Sequence, residues 1–322
     1  MTQIFVNQLK PQDTIDQIFL ASDKQLRSNR NGNLYLQVDL SDRTGMIGGR
    51  MWNTTNEAFE SFENGDYVHV EGSTQLFQGM IQLIVGKIRR VDPSEVDPDC
   101  FQRLSSAKID QMTVRVAELL RGIKDVGLLN LAEVFLMDQP FMRRFAEAPA
   151  GIKNHHAYRG GLLEHTLNLM EVVLRITPRY PEINQDLLLI GAFLHDVGKT
   201  EELEYEQGYT YGDEGQLLGH LVIGVEMVDR KIVEAERLGG ETIDPELVLR
   251  LKHMLLSHHG EYEFGSPKLP MTLEATALAF LDNLDSKIAS FSQQINDCPN
   301  NESSWTAYNP NIQRKLFKGG RE

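Results

Sequence analysis

Residues Phe193–Gln207 read FLHDVGKTEELEYEQ. An apolar, helix-like run stops at His195-Asp196, and Val197-Gly198-Lys199 follow at once. An imidazole and a carboxylate side by side at the end of a buried segment either cap and solvate a helix terminus or hold a metal ion. Buried polar groups need partners, so the choice depends on what other nitrogen and oxygen donors the chain supplies. Glu201 and Glu202, in the acidic run behind Lys199, read as solvated side chains.

Outward from this stretch the histidines cluster. Eight of nine fall between His155 and His259, and only His69 lies outside. In chain order the candidate donors are His165 in GGLLEHTLNL, His195-Asp196 in FLHDVGK, His220 in LLGHLVIG, His258-His259 in LSHHGEYEFG and Asp282 in AFLDNLDSK. Each sits in or at the end of an apolar run with helical spacing. One such histidine alone is an ordinary core or cap residue. Five such sites in one segment call for a common partner, and a shared cation satisfies all of them. The donors are nitrogen and oxygen without thiolate, which suits divalent Mn²⁺, Fe²⁺ or Co²⁺ ahead of Zn²⁺ and disfavours Ca²⁺. Six or seven donors exceed the need of a single four-coordinate ion, so two ions bridged by Asp196 are expected. No HExxH occurs, which sets the metalloprotease arrangement aside.

The periodicity around these motifs sets the fold class. Up to about residue 95 the chain reads as short strands: NLYLQVDLSDRTGMIGGRMW and NGDYVHVEGSTQLFQGMIQLIVGKIRRV alternate polar and apolar residues between Gly/Asp/Asn turns. About five strands, with a helix-like insert near Thr55–Glu63, fit a small barrel of the OB type. VDPSEVDPDC (Val91–Cys100), acidic and with two prolines, reads as a linker. Beyond it Ile109–Ile123, Leu162–Ile176, Leu187–Leu194, Leu218–Leu238, Leu247–Leu256 and Leu273–Phe291 show helical spacing. The expectation is a multidomain α and β protein: an OB-like β-barrel over 1–95, an all-α domain over 101–300, and a basic, aromatic tail over 301–322.

The order His…His-Asp…His…His-His…Asp resembles the HD superfamily of metal-dependent phosphohydrolases, and the match extends to HDVGK, GQLLGHLVIG and AFLDNLDSK. An OB module ahead of an HD domain is similar to the YhaM-type 3′→5′ exoribonucleases, whose pattern GGLLEH, GYTYGDEGQLLGH and LSHHGE also resemble. The resemblance implies hydrolysis of phosphodiester bonds in single-stranded RNA, and possible action on single-stranded DNA, by a metal-bound hydroxide. By the same resemblance His165, His195, Asp196 and Asp282 would hold one ion. His220 and one or both of His258 and His259 would hold the second.

Around the ligand series, Lys199 is a candidate to reach a phosphate oxygen as a point charge, with complementation of a helix C-terminus as the plain alternative. His155, His156 and Arg159 in NHHAYRGGLLEH either bind substrate phosphate or form a polar loop, and Gly160-Gly161 allow a tight helix entry. Tyr205, Tyr209 and Tyr211 either stack on a base or pack on their own domain. On the barrel, Tyr35, Trp52 and Phe77, with Lys24, Arg27, Arg30, Arg43 and Arg50 near them in sequence, are candidates for a single-strand surface; core or cross-strand packing is the alternative. In the tail, Trp305, Tyr308, Arg314 and Lys315 clamp RNA, pack on a neighbouring subunit, or stay disordered.

Composition bounds these readings. The chain has 322 residues, 41% hydrophobic, with a formal net charge of −14. That excludes a wholly basic nucleic-acid coater, but not a nuclease, because bound cations reverse the local field. There is no apolar run of membrane-spanning length and no leader-like start in MTQIFVNQLK. Two cysteines, Cys100 and Cys298, make a disulfide framework improbable, and a cytoplasmic setting is expected. Assembly into a homo-oligomer is left open. Two rival functions stand beside the exoribonuclease: an HD phosphohydrolase of small nucleotides, and a nucleic-acid-binding protein whose HD half is structural.

Overall fold

The computed structural model of the chain describes residues 4–29, 32–77, 80–151, 156, 158–204, 210–296, 298 and 303–319. The described residues up to Ser105, with those from Phe291 onward, form one compact unit, and Ser106–Ser290 forms a second.

In the first unit five strands close a barrel: β1 (Thr14–Ser28), β2 (Leu34–Asp42), β3 (Gly45–Trp52), β4 (Tyr67–Phe77) and β5 (Met80–Arg90). Their order is β1-β2-β3-β5-β4, antiparallel except where β3 meets β5 in parallel at Gly49↔Leu83 and Arg50↔Ile84. The alternation in the sequence is the cause. On β2, Leu36, Val38 and Leu40 point inward while Tyr35, Gln37 and Asp39 face out, as the two-residue period of a strand requires. With Ile15, Phe19, Val68, Val70 and Leu83 they fill the interior. A short helix, α1 (Asn56–Glu60), is capped by the Thr55 hydroxyl, which accepts from the Ala58 amide at 3.2 Å. The Val91–Phe101 segment packs back on this barrel, with Val91, Val96 and Phe101 against Ile18, Leu20 and Tyr67.

The second unit is helical: α2 (Ser106–Leu120), α3 (Val126–Met137), α4 (Gln139–Glu147), α5 (Gly161–Ile176), α6 (Gln185–Leu194), α7 (Lys199–Glu202), α8 (Asp213–Gly239), α9 (Pro245–Ser257) and α10 (Leu273–Asn296), the last running on into the first unit. Side-chain caps start several of them: Asp125 on α3, Asp138 on α4, Asn184 on α6 and Asp244 on α9. α6 is the centre, because every residue from Leu187 to Leu194 is buried. Phe193 near its end meets Phe135, Phe141 and Phe145 edge-on, with ring centroids 5.3–6.4 Å apart. Such contacts add about 0.5–1.5 kcal/mol each beyond burial. They pin the end of α6, and so fix the point from which His195 and Asp196 project. No described helix is long and apolar enough to cross a membrane.

Residues 303–319 form a hairpin, bridged at Trp305↔Phe317 and Asn309↔Arg314. A two-residue pairing, Leu203–Glu204 with Thr210–Tyr211, flanks 205–209, so the candidates Tyr205 and Tyr209 lie outside the described residues, as do His155 and Arg30.

Candidate metal centre

All of the histidines and carboxylates in the proposed ligand series come together in the second unit. His165 lies on the buried face of α5 with Leu162 and Leu169. Its Nδ1 donates to Asp285 Oδ2 at 2.7 Å. His195 caps the C-terminus of α6, and its Nδ1 donates to the Ala192 carbonyl at 2.9 Å. His258 caps α9 in the same manner, with Nδ1 donating to Leu255 O at 2.8 Å. His259 Nδ1 donates to Phe264 O at 2.9 Å, and His220 Nδ1 to Glu202 Oε1 at 3.1 Å. Carbonyls and carboxylates only accept, so in each ring the Nδ1 carries the hydrogen and the Nε2 of the neutral imidazole keeps a lone pair.

Those five Nε2 atoms converge. His165 and His195 bring theirs to 3.2 Å, as do His220 and His259. Asp282 Oδ1 is 3.3 Å from His165 Nε2, and Asp196 Oδ1 is 3.5 Å from both His220 and His258 Nε2. Lone pairs at such range repel each other unless a cation or a proton lies between them. Two nitrogens about 2.1 Å from one ion stand roughly 3.0–3.4 Å apart for bond angles of 90–110°, which is the spacing found. Asp196 supplies a second indication: it is buried, and its Oδ1 has no hydrogen-bond partner among the described residues. An orphaned carboxylate oxygen there is costly unless a cation occupies the space it faces. The groups His165/His195/Asp282, His195/Asp196/His258 and His220/His258/His259 each have the ligand spacing of a metal site and share members. The residues present therefore fit divalent ions with mixed nitrogen and oxygen donors.

Two glycines make the convergence possible. Gly219 interrupts α8 at φ 74, ψ 157, a conformation only glycine adopts readily. The break turns His220 so that its amide and its Nδ1 both donate to Glu202 Oε1. Gly198 brings the turn after Asp196 against the backbone of His220.

Electrostatics follow from this packing. Burial alone would depress His165, but the carboxylates of Asp282 and Asp285 outweigh it and hold the imidazole up to about 9. Burial opposes ionisation of Asp282 and Asp285 as well, yet their histidine partners keep both below the usual carboxylate range. Burial, with the neighbouring His258 and His220, pushes His259 down to about 4.

Two residues missed in the sequence hold the donors from behind. Asp285 takes His165 Nδ1, His156 Nε2 (3.0 Å) and, on its other oxygen, Asn168 Nδ2 (3.0 Å). The signal was present, since Asp285 follows Asp282 by one helical turn. Glu202 corrects the reading of both acids as solvated. Glu201 is exposed and faces Arg144 and Arg230, whereas Glu202 is buried under His220.

The neighbouring candidates are placed differently from the donors. Lys199 Nζ lies 2.7 Å from Asp196 Oδ2 and 2.7 Å from the Ala150 carbonyl. His156 is buried, with Nδ1 2.9 Å from the Tyr158 hydroxyl and Nε2 on Asp285; Arg159 pairs with Glu147 at 2.8 Å. Tyr211 is exposed. In Gly161 a Cβ would overlap the His156 carbonyl, so the tight helix entry needs that glycine.

On the barrel, Tyr35, Trp52 and Phe77 gather on one outer face. Tyr35 and Trp52 are cross-strand partners with rings 5.0 Å apart, and the Arg50 guanidinium sits 6.0 Å from Trp52 and 5.5 Å from Phe77. Trp52 and Phe77 are each 43% exposed. Lys24 does not join this face: its Nζ donates to the carbonyls of Phe59 and Phe62 and sits over the Phe59 ring, completing the end of α1. Arg43 lies over Phe5, and Arg27 bonds Gln25.

Comparison with known families agrees with both halves. Residues 162–287 match the HD domain, and residues 22–91 match the tRNA anti-codon model of the OB-fold nucleic acid binding domain. Over 28% of its length the chain is also similar to two solved structures, each with a TM-score of 0.22. One is a replication protein A heterotrimer bound to ssDNA, at 20% identity and spanning 66% of that chain. The other is the second OB-fold domain of replication protein A from Methanococcus maripaludis, at 23% identity and spanning 94% of it. This chain is an OB-fold barrel followed by an all-helical HD domain.

Proposed function

We propose that the protein is a metal-dependent 3′→5′ exoribonuclease that hydrolyses single-stranded RNA, and also accepts single-stranded DNA. The observation that carries the hydrolytic part is the convergence of four imidazole Nε2 atoms within 4.0 Å of the Asp196 carboxylate, whose Oδ1 lacks a hydrogen-bond partner among the described residues, with His259 Nε2 beside that of His220. His165, His195, Asp196 and Asp282 would hold one ion and His220, His258 and His259 the other, with Asp196 shared. Bound divalent ions activate water near neutral pH and neutralise charge on phosphoryl oxygens. The chain's own residues do the rest. Asp285 and Glu202 orient His165 and His220 from behind. Lys199 neutralises Asp196 Oδ2 and adds positive charge where a phosphate would bind. Trp52, Tyr35 and Phe77 offer stacking faces to bases without selecting among them, and Arg50 adds charge for the backbone. Attack from the 3′ end with release of mononucleotides rests on the resemblance of the motif order to YhaM-type enzymes.

The test is turnover of a 5′-labelled oligoribonucleotide, and its DNA counterpart, after chelation and addition of Mn²⁺, Fe²⁺, Co²⁺ or Zn²⁺ singly. Shortening from the 3′ end to mononucleotides is expected, and loss of it in Asp196→Ala. Internal cleavage, or hydrolysis of free nucleotides with the oligomers untouched, would overturn the proposal.

A further inference from the structure

The hairpin of residues 303–319 presents aromatic rings and cations together. Thr306 N donates to Leu316 O at 2.9 Å, Leu316 N to the Thr306 hydroxyl at 2.9 Å and Asn309 N to Arg314 O at 3.0 Å. Asn309 also donates through its side chain to Gln294 at 2.7 Å, which ties the hairpin to the end of α10. Leu316 is buried, and its neighbours Lys315 and Phe317 are exposed, as alternation along an extended segment predicts. Trp305 and Phe317 face each other across the bridge with rings 5.0 Å apart, yet stay 48% and 58% exposed. Tyr308 is 57% exposed.

The charge of this element opposes that of the whole. Residues 303–319 contain Arg314, Lys315 and Lys318 and no Asp or Glu, in a chain of formal net charge −14. A self-packing hairpin has no use for half-exposed aromatic rings beside Arg314 and Lys315, cations with no acid in the same hairpin. A single strand of nucleic acid needs both: π-faces for its bases and positive charge for its phosphates. A partner surface of the same acidic protein would be matched by the charge, but would leave no reason for the two tilted rings to stand half-open.

We propose that this hairpin is a second contact surface for single-stranded nucleic acid, additional to the barrel face around Trp52. The inference rests on the reading that the protein acts on single strands. It assigns Trp305 and Phe317 to base stacking and Arg314 and Lys315 to phosphate contact.

The test is binding of a fluorescein-labelled, phosphorothioate-linked oligouridine of 24 nucleotides, which keeps its charge and resists cleavage. Wild-type full-length protein is compared with Trp305→Ala/Phe317→Ala, Arg314→Gln/Lys315→Gln and, on the barrel, Trp52→Ala. Melting temperature establishes folding, and Trp305→Phe provides rescue. The aromatic pair is expected to weaken binding about five- to a hundredfold, with recovery in the Phe variant. The charge pair should flatten the dependence of log K on log salt by about 1.4, two contacts at about 0.7 each. Unchanged affinity and slope in folded hairpin variants, with Trp52→Ala weakened, would overturn the hairpin assignment and leave the single-strand reading standing. No binding by wild-type protein would overturn both. A change in sedimentation coefficient without a change in salt slope would make the hairpin a contact between copies and overturn the assignment.

Discussion

Gly198 lies against the backbone of His220, so closely that a Cβ at position 198 would overlap the His220 carbonyl oxygen and crowd the Gly224 amide. The HDVGK turn and the break in α8 are thus packed with no room for one methyl group, and each fixes the other. Gly198→Ala is expected to push His220 away from Asp196. Its cost in stability should be about 1–3 kcal/mol, as for other overpacked sites. Bound metal should fall by up to half on elemental analysis while the fold, followed by circular dichroism, is retained.

Gly219 provides a sharper test, because its strain is in the backbone rather than in packing. A Cβ there meets only the tip of Glu202 at 3.9 Å, so space is no obstacle. The φ of 74 with ψ of 157 is the obstacle. Gly219→Ala should cost about 1–3 kcal/mol and weaken metal binding by turning His220 off Glu202. Gly240, also left-handed but at the end of α8 with nothing near it, is the control: Gly240→Ala should lower stability by about 1 kcal/mol and leave metal binding intact.

How much of this was legible in the sequence depends on where the cause lies. The donors His165, His195, Asp196, His220, His258, His259 and Asp282 could be listed because each polar residue interrupts an apolar helical run, a local signal. Asp285 carried a local signal too, the one-turn spacing from Asp282, but its neighbour masked it. Glu202 carried none. In KTEELEYEQ the acids look alike, and burial of Glu202 comes from α8, whose Gly215 packs directly on the Glu202 carbonyl. Lys24 reads as a surface cation on a strand, and only the arrival of α1 turns its ammonium inward. α3 was not expected, because Leu128, Leu131, Ala132, Val134, Phe135 and Leu136 are buried on several sides and leave no amphipathic period. β1 was obscured by a bulge between Ser22 and Gln25, which shifts the alternation along its 15 residues.

Asp285 separates a positioning role from direct ligation. It accepts from His165, His156 and Asn168, and its oxygens are occupied by those bonds. Asp285→Asn keeps the shape but offers an amide where two imidazoles need acceptors. Metal affinity, measured by competition with a chromogenic chelator, should fall about 10- to 100-fold, with the number of ions bound at saturation unchanged. Loss of an ion at saturation would instead make Asp285 a direct ligand.

The barrel face has its own signature in salt. Arg50 lies between Trp52 and Phe77, so one cation serves two stacking faces. Arg50→Gln should reduce the salt slope of oligonucleotide binding by about 0.7, and Trp52→Ala should weaken binding at every salt concentration with the slope retained. If both variants changed only the slope, Trp52 would not be stacking.

The pH response of the metal-free protein follows from His165 and His259. His165 is held up to about 9, above its ordinary 6.5, so its protonated form contributes stability that is complete below 6.5 and lost as pH rises through about 9. His259 is pushed from 6.5 down to about 4, so its contribution is complete above 6.5 and lost as pH falls towards 4. Chelated protein should therefore melt highest near pH 6.5. A metal ion must displace the proton on His165 to bind there, and one displaced proton changes binding by about 1.4 kcal/mol per pH unit. The gap in melting temperature between Mn²⁺-loaded and chelated protein should widen from pH 6.5 to 9. A constant gap over that range would mean that the ion binds without taking the place of the His165 proton, and would remove His165 from the ligand set.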